Sequence, residues 1–366
     1  MREEDRKLIE EIADEPSLYP EKERKSREVR IKELTYWSDK YNEVNIYYNV
    51  YGMDLVETEC IDDWLDRGVF RKQRHDINST FCPYGSDFPY DYTLFMRDKE
   101  AFEKLMRSIF GTARVYVPST GIIAGKNLSI RDKDTGTLIR TDVSGFFKHI
   151  DGKRAVFKNS FGYSGSNIIF ADIYNGRVRY NGKDHSAEEF VDSIVKVNST
   201  WIVQEVIKQH EWMNRVNRSS VNTLRILTYN TGARVVSGKS VLRFGLPGSE
   251  VDNCGKGGLY VAVDDDGVIG DMVFDPDRWW HKCDFAGEKI PFFKEAVNLV
   301  KTAHENIPLL FSIGWDVAIG FDGPLIIEGN DGWDPHSIQT PMGYAQRKTW
   351  DGYLKERETF YRDNIV

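Results

Sequence analysis

Cysteine is scarce in this sequence. Among 366 residues there are four cysteines, Cys60, Cys82, Cys254 and Cys283, and no two of them form a C-x-x-C pair. This spacing lacks the ligand pattern of a zinc ribbon and the density of a disulfide scaffold. We therefore expect four reduced thiols, which are typical of a cytoplasmic protein.

Long apolar runs are also absent. No run approaches the roughly 18 apolar residues of a membrane-spanning helix. The first stretch, MREEDRKLIEEIADE, is charged where a signal peptide carries an apolar segment. We therefore expect a soluble protein without membrane insertion.

Positive charge is not concentrated in any segment. Lysine and arginine number 49 against 57 acidic residues, which gives a net charge of -8, so nucleic acid is not an expected partner. The chain contains no H-E-x-x-H, G-x-S-x-G, G-x-x-x-x-G-K-[ST] or G-x-G-x-x-G motif. It therefore lacks the zinc-protease, α/β-hydrolase, P-loop and Rossmann signatures.

The composition is typical of a folded chain with a large core. Hydrophobic residues make up 40% of the sequence and aromatic residues 13%. At roughly 150 residues per domain, the length predicts two or three units. Residues 1–90 mix charges of both signs around sparse apolar positions or are irregular, so we predict a mainly helical N-terminal region there.

The rest of the chain alternates between hairpin and helix patterns. Residues 119–290 contain short apolar runs broken by Gly, Asn-Gly and Asp-Gly, which predict antiparallel strands. The segments RDKEAFEKLMRSIFG and PFFKEAVNLVKTAHENI and residues 344–362 predict helices. Helices packed on antiparallel sheet define an α+β protein.

One predicted hairpin, GWDVAIGFDGPLIIEGN, ends in oxygen-bearing side chains. A two-residue loop would pair Val317 with Glu328 and set a carboxylate on an apolar face, which is costly if that face is buried. A three-residue loop would pair Asp316 with Glu328, and we predict this register. Asn330 would then join both carboxylates at the open end of the hairpin.

The same register predicts a clean apolar face for this hairpin. Val317, Ile319, Leu325 and Ile327 would share it, opposite Asp316 and its partners. Two carboxylates and an amide oxygen at one spot favour magnesium, or alternatively manganese. From the hairpin alone, polar groups exposed to solvent at a strand end are an equally good interpretation.

A lysine and a small-residue loop follow another predicted strand. Lys158 ends the strand, and Gly162, Ser164, Gly165 and Ser166 lead into the next one. Small residues let backbone N–H groups approach phosphate oxygens, and a nearby lysine adds positive charge. Taken alone, an ordinary glycine-serine hairpin explains the segment better.

Polar side chains also follow the strand in WIVQEVIKQHE. Gln204, Glu205 and Glu211 are candidate partners for an adenine or a ribose. The alternative is a half-buried strand with a solvated end.

The predicted hairpin TLRILTYNTGARVVSGKSVLRFG carries basic residues. A three-residue turn at 230–232 would place Arg225, Ser237 and Lys239 on one face, with Arg243 further along. Such groups are suited to hold a transferring phosphoryl group or a substrate carboxylate. Pairing with surface acids is the alternative.

A glycine-rich loop, GSEVDNCGKGG, follows this hairpin. Asp252, Asn253 and Lys256 within it are candidate substrate-binding residues. A long connection without a binding role is equally consistent with the composition.

Taken in order, these features resemble the ATP-grasp superfamily. Within it, SSVNTLRILTYN, LRFGLPGSEVDNCGKGG and GWDVAIGFDGPLIIEGN resemble the sugar-transfer-associated ATP-grasp family found among cell-surface polysaccharide genes. The resemblance covers about 92–345. It implies an ATP-grasp fold in which two α+β subdomains of antiparallel sheet grip ATP, after the helical N-terminal region. The implied parts are 91–210, with a lid, and 211–366, with the metal site.

The resemblance also implies roles for individual residues. Arg225 would contact the reacting phosphoryl group; Lys239 and Arg243, from the pattern of the same hairpin, are the other candidate catalytic residues. Asp316, Glu328 and Asn330 would be the metal ligands. The implied nucleotide-binding residues are Lys99, Lys158, Gly162, Ser164, Gly165, Ser166, Gln204, Glu205, Val206, Ile207 and Glu211.

The implied activity is that of a carboxylate-amine ligase. Such an enzyme uses ATP and magnesium to form an acyl phosphate, which an amine then converts to an amide. The expected substrates are a small carboxylate, such as a uronic acid, and an amine, on a sugar nucleotide or glycan. A sugar or small-molecule kinase and a non-catalytic carbohydrate-binding or assembly protein are the alternatives. The oligomeric state is not predicted.

Overall fold

The fold is α+β, as predicted, and is built on two antiparallel sheets. A computed structural model describes residues 2–79, 93–162, 168–195, 199–250, 252, 257–275 and 279–365. Within these residues, no helix combines the length and apolar character needed to cross a membrane.

The N-terminal region is helical, as the mixed-charge pattern predicts. Its helices are α1 (Glu3–Asp14), α2 (Arg27–Tyr41) and α3 (Arg67–Ser79). The Ser26 hydroxyl accepts a hydrogen bond from the N–H of Val29 at 3.3 Å, which caps the start of α2. Ile9, Leu34 and Trp37, on α1 and α2, are buried in a local core with residues from 44–64.

Two helices lead from this region into the first sheet. They are α4 (Leu94–Arg97) and α5 (Lys99–Phe110). The Asp98 carboxylate accepts hydrogen bonds from the backbone N–H groups of Glu100 and Ala101, and Gly111 follows the last turn of α5. This cap fixes the start of α5 and therefore the position of Lys99.

The first sheet is an antiparallel layer of eight strands in the described part of the chain. Its strands are β1 (Ser119–Ala124), β2 (Asn127–Arg131), β3 (Leu138–Thr141), β4 (Arg154–Asn159), β5 (Ile168–Tyr174), β6 (Arg177–Tyr180), β7 (Lys183–Ser186) and β8 (Thr200–Glu205). Their spatial order is β3-β2-β1-β8-β4-β5-β6-β7. Helices α6 (Val143–His149) and α7 (Ala187–Ile194) share an apolar core with this sheet.

The second sheet has seven strands in the described residues and follows the short helix α8 (Glu211–Val216). Its strands are β9 (Thr223–Asn230), β10 (Val235–Phe244), β11 (Leu259–Val263), β12 (Ile269–Asp275), β13 (Trp279–Lys282), β14 (Ser312–Gly320) and β15 (Gly323–Asn330). Their order is β13-β12-β11-β10-β9-β14-β15.

Both faces of the second sheet are covered. Leu224 and Ile226 pack with α9 (Phe293–Glu305) on one face. Leu227 and Tyr229 contribute to a core on the opposite face. That core also contains residues of α3, of α10 (Pro335–Met342) and of α11 (Arg347–Ile365). Alternate residues of β9 thus pack into the cores on the two opposite faces of the sheet.

The hairpin of β14 and β15 confirms the predicted carboxylate pairing and corrects its turn. Asp316 pairs with Glu328, as predicted. Gly320, however, pairs with Gly323, so the loop has two residues and not the predicted three.

A β-bulge absorbs this difference. Val317 pairs with Ile326, so Ile327 is an extra residue on β15. Val317, Ile319 and Ile326 are fully buried in the core, whereas Leu325 and Ile327 are only partly buried. The predicted apolar face that grouped Leu325 and Ile327 with Val317 and Ile319 is therefore wrong.

The turn between β9 and β10 also differs from the prediction, and in this case it is longer. Asn230 pairs with Val235, so residues 231–234 form the loop. The N–H of Thr231 donates to the carbonyl of Arg234 at 2.9 Å, which closes the turn. A further irregularity in the pairing lies between Ser237 and Ser240.

These shifts contradict the predicted grouping of basic residues on the hairpin. Ser237 pairs with Thr228, which lies three positions from Arg225 and therefore faces the other side of the sheet. Lys239 lies in the irregular stretch, where its ammonium contacts the exposed Asp265 at 3.4 Å. Arg225, Ser237 and Lys239 thus do not converge.

Candidate active site

A cleft lies between the two sheets. Its lining contains side chains from β4, β5 and β8 of the first sheet and from β9, β10, β14 and β15 of the second. The predicted site residues that line it are Lys99, Lys158, Gln204, Glu205, Val206, Ile207, Arg243, Asp252, Asp316 and Glu328. The fold therefore brings together segments that are far apart in the sequence.

The three predicted metal ligands meet at one end of this cleft. Nδ2 of Asn330 lies 3.5 Å from Oδ2 of Asp316 and 3.5 Å from Oε1 of Glu328. The Asp316–Glu328 strand pairing brings the two carboxylates together, and Asn330 is two residues beyond Glu328 on β15. The two carboxylates offer oxygen atoms to a hard cation, and the Asn330 amide would add its own oxygen by turning its nitrogen away from them.

Two guanidinium groups hold Asp316. Arg225 donates from Nε to Oδ1 at 2.5 Å and from Nη2 to Oδ2 at 3.0 Å. Nη1 of Arg243 lies 3.1 Å from both carboxylate oxygens. All three residues are buried. Although burial raises the pKa of Asp316, the two arginines outweigh it and lower this pKa to about 2.

Lys158 lies in the cleft facing these carboxylates. Burial lowers the pKa of its ammonium to about 8; Glu328 opposes this shift and Lys99 adds to it. No described residue forms a hydrogen bond or ion pair with this ammonium. An ammonium buried without a bonded partner is suited to accept an anionic ligand.

Lys99 occupies the adjacent wall. Its ammonium donates to the carbonyl oxygen of Gly162, so Gly162 touches this lysine although it does not line the cleft. The N–H of Lys99 donates to the carbonyl of Ser160 at 3.1 Å. These contacts tie the start of α5 to the segment that follows Lys158.

The segment after β8 forms another wall. Gln204 donates from Nε2 to the carbonyl of Val117 at 2.7 Å, and its Oε1 is buried without a hydrogen-bond partner. The Glu205 carboxylate lies 2.5 Å from the ammonium of Lys153 and is partly turned to solvent. Val206 and Ile207 line the cleft. An apolar wall with a buried amide oxygen suits a planar polar ring.

Asp252 lies on the opposite side of the cleft. The Thr223 hydroxyl donates to its carboxylate, and Arg243 lies 3.5 Å away. Burial is the largest influence on this carboxylate and raises its pKa, against the lowering effect of Arg243. The Arg243 guanidinium therefore bridges Asp252 and Asp316.

Several predicted residues do not line the cleft. Arg225 lies behind Asp316, Lys239 contacts Asp265, and Glu211 is exposed at the start of α8. Five further predicted positions, Ser164, Gly165, Ser166, Asn253 and Lys256, lie outside the described residues.

The cleft also contains residues that the sequence interpretation missed. Thr223 and Ile327 line it, together with Phe170, Val221 and Glu250. Thr223 could have been predicted from the sequence, because it lies two positions before Arg225 on one strand and therefore faces the same side of the sheet. Ile327 could not have been predicted, because it lines the cleft only as the extra residue of a β-bulge.

Trp333, three residues beyond Asn330, is part of the core and does not line the cleft. Its side chain is 0% exposed, and its ring lies 4.6 Å from that of Phe70.

The two facing sheets and the site between them define an ATP-grasp protein. Residues 86–349 match the sugar-transfer associated ATP-grasp family, which is more than half of the chain. The chain therefore belongs to the sugar-transfer associated ATP-grasp family, and both the predicted family and the predicted fold are confirmed.

Solved structures of ligases resemble the chain at low identity. The D-alanine--D-alanine ligase from Bacillus anthracis is 13% identical over 74% of this chain and 69% of its own, with a TM-score of 0.39. The ATP-grasp ligase PsnB, complexed with a minimal precursor, is 12% identical over 79% and 68%, with a TM-score of 0.37. The L-amino acid ligase from Bacillus licheniformis is 11% identical over 67% and 43%, with a TM-score of 0.36. No protein with a curated description matches the chain.

Proposed function

We propose that this protein is an ATP-dependent carboxylate-amine ligase. Its carboxylate substrate would be a uronic acid or another precursor of a cell-surface polysaccharide, carried on a sugar nucleotide or glycan. The observation that supports the proposal most is that one cleft brings together the Lys158 ammonium, which has no bonded partner among the described residues, and the oxygen-bearing side chains of Asp316 and Glu328. Cationic groups and a cation site are the features that phosphoryl transfer requires.

The residues of the cleft have separate tasks in this proposal. Lys158 and Lys99 bind the phosphates of ATP, while Val206 and Ile207 contact the adenine. Arg243 offsets the charge that develops on the transferred phosphoryl group, and Arg225 keeps Asp316 in place. ATP supplies the phosphoryl group that converts the substrate carboxylate to an acyl phosphate, from which the amine displaces phosphate.

The cation would be held by Asp316, Glu328 and Asn330. When bound, magnesium or manganese neutralises phosphate charge. Closure of the two sheets around the substrates would limit the access of water, which would otherwise hydrolyse an acyl phosphate. No residue of the chain has to act as a covalent nucleophile.

A substrate screen tests the proposal. Pairs of carboxylates and amines, including uronic acids and nucleotide sugars, are incubated with ATP and magnesium, and ADP release is measured. We expect release only when both partners are present, and an amide in the mass spectrum of the product. A phosphorylated acceptor would indicate a kinase. Nucleotide binding without ADP release for any pair would favour a non-catalytic binding protein.

Nucleotide binding is tested separately by thermal unfolding. A ligand at 100 times its dissociation constant stabilises the folded state by about 2.7 kcal/mol. ATP with magnesium should therefore raise the melting temperature. The absence of any shift at millimolar ATP would contradict nucleotide binding.

A further inference from the structure

The N-terminal region reaches the strand end that carries the cation ligands. Asp331 follows Asn330 and is buried. Nη1 of Arg74, on α3, lies 3.4 Å from the Asp331 carboxylate, and Nη2 of Arg97, on α4, lies 3.1 Å from it. Two elements that precede both sheets thus fix the residue next to a ligand.

The contact continues through the following residues. The ring of Phe70, on α3, lies 4.6 Å from that of Trp333. The carbonyl of Trp333 accepts a hydrogen bond from Nη1 of Arg225 at 3.2 Å. Residues 331–333 are therefore held by α3 on one side and by Arg225, the partner of Asp316, on the other.

Gly332 makes the approach of Arg74 feasible. A Cβ atom at this glycine would lie 2.1 Å from Nη1 of Arg74, and the other atoms close to it also belong to Arg74. A methyl group at position 332 would therefore displace the Arg74 guanidinium, which is the flexible end of a long side chain. A substitution at Gly332 would therefore move the Arg74 side chain without removing it.

We propose that Arg74 is a positioning residue for the cation site. Through Asp331 it holds Asn330 at the distance from Asp316 and Glu328 that cation binding needs. The inference rests on the proposed function, and it assigns a role to residues 2–79, which lie outside the range matched by the family. Residues that orient metal ligands typically contribute 10- to 100-fold to metal affinity.

Two substitutions on different elements test this role. Arg74→Ala removes the guanidinium, and Gly332→Ala displaces it from the β15 side. Arg71→Ala is the matched control, because Arg71 is exposed on the same helix. For each variant, the melting temperature is measured without ligand and then with saturating ATP at increasing magnesium concentration.

We expect both Arg74→Ala and Gly332→Ala to require roughly 10- to 100-fold more magnesium for half of the ATP-dependent shift. Arg71→Ala should titrate like the unmodified protein. If the two test variants melt lower without ligand but need the same magnesium concentration, Arg74 has only a structural role and the inference is overturned. If the unmodified protein shows no shift with ATP and magnesium, the proposed function itself fails, and the inference fails with it.

Discussion

Arg225 and Asp316 face each other on neighbouring strands and form a buried bidentate ion pair, with N–O distances of 2.5 and 3.0 Å. Arg243 adds a second guanidinium at 3.1 Å. The carboxylate is thus fixed and charged before any ligand arrives. In the proposed cation site, the orientation of this carboxylate would therefore be set in advance.

Removing this carboxylate should destabilise the fold. Asp316→Asn leaves two buried guanidinium groups without their shared counter-charge, and breaking a buried pair costs about 3 to 5 kcal/mol. Urea unfolding measures the change. Asp265→Asn is the control, because Asp265 is exposed and its one ion pair among the described residues is with Lys239, at 3.4 Å. A loss below about 1 kcal/mol, the value of a surface pair, would mean that the arginines are held by other groups.

The same ion pair predicts a specific response to acid. The arginines lower the Asp316 pKa from 3.8 to about 2 in the folded state. A lowered carboxyl pKa stabilises the fold above the unfolded value, and this contribution is lost as the pH falls from about 3.8 to about 2. As the pH is lowered through this window, the urea midpoint should fall less steeply for Asp316→Asn than for the unmodified protein. If the midpoints of both proteins fall in parallel, the lowered pKa of Asp316 is contradicted.

Glu328 should matter for ligand binding more than for folding. Its carboxylate is partly exposed to the cleft and lies 3.5 Å from the Asn330 amide. Glu328→Gln keeps the shape and removes the charge, so we expect a nearly unchanged melting temperature without ligand and no magnesium-dependent ATP shift. Glu295→Gln, on the exposed face of α9, is the control. A normal ATP shift or normal ADP release in Glu328→Gln would refute the metal assignment.

The hairpin that carries Glu328 illustrates how far the sequence could be read. Charge and burial arguments predicted the pairing of Asp316 with Glu328, because the other register would place a carboxylate on an apolar face. They could not predict the loop length, since a bulge at Ile327 compensates for one residue and has no compositional signature. A similar irregularity after Ser237 removed Lys239 from its expected place.

The N-terminal region is a second case in which the sequence predicts the local structure but not the tertiary contacts. Mixed charges around sparse apolar positions predicted its helices, which depend on local spacing. The packing of Phe70 against Trp333 joins residues far apart in the chain, and each is simply an aromatic residue in its local context. Nothing local therefore indicated that α3 would meet the end of β15.

The bulged residue should contribute to nucleotide affinity. Ile327 lines the cleft opposite Val156 and Phe170 of the first sheet, whereas its neighbour Leu325 does not line it. Ile327→Ala should weaken ATP binding in a calorimetric titration, because an apolar side chain adds about 1.5 to 3 kcal/mol when fully buried. Leu325→Ala, which removes similar apolar volume outside the cleft, should bind ATP normally. Equal losses in both variants would point to a general effect on the hairpin.

Lys158 predicts that ATP affinity depends on pH in a range where few other groups titrate. Burial lowers the pKa of its ammonium from 10.5 to about 8. The protonated ammonium is the form that attracts phosphate. The affinity for ATP should therefore be highest below pH 8 and decrease as the pH rises through about 8. Lys158→Arg stays charged throughout this range, so its affinity should change little between pH 7 and pH 9. Calorimetric titrations at several pH values make the comparison. If both proteins lose affinity in parallel, another group is titrating and Lys158 does not carry the charge that binds the phosphates.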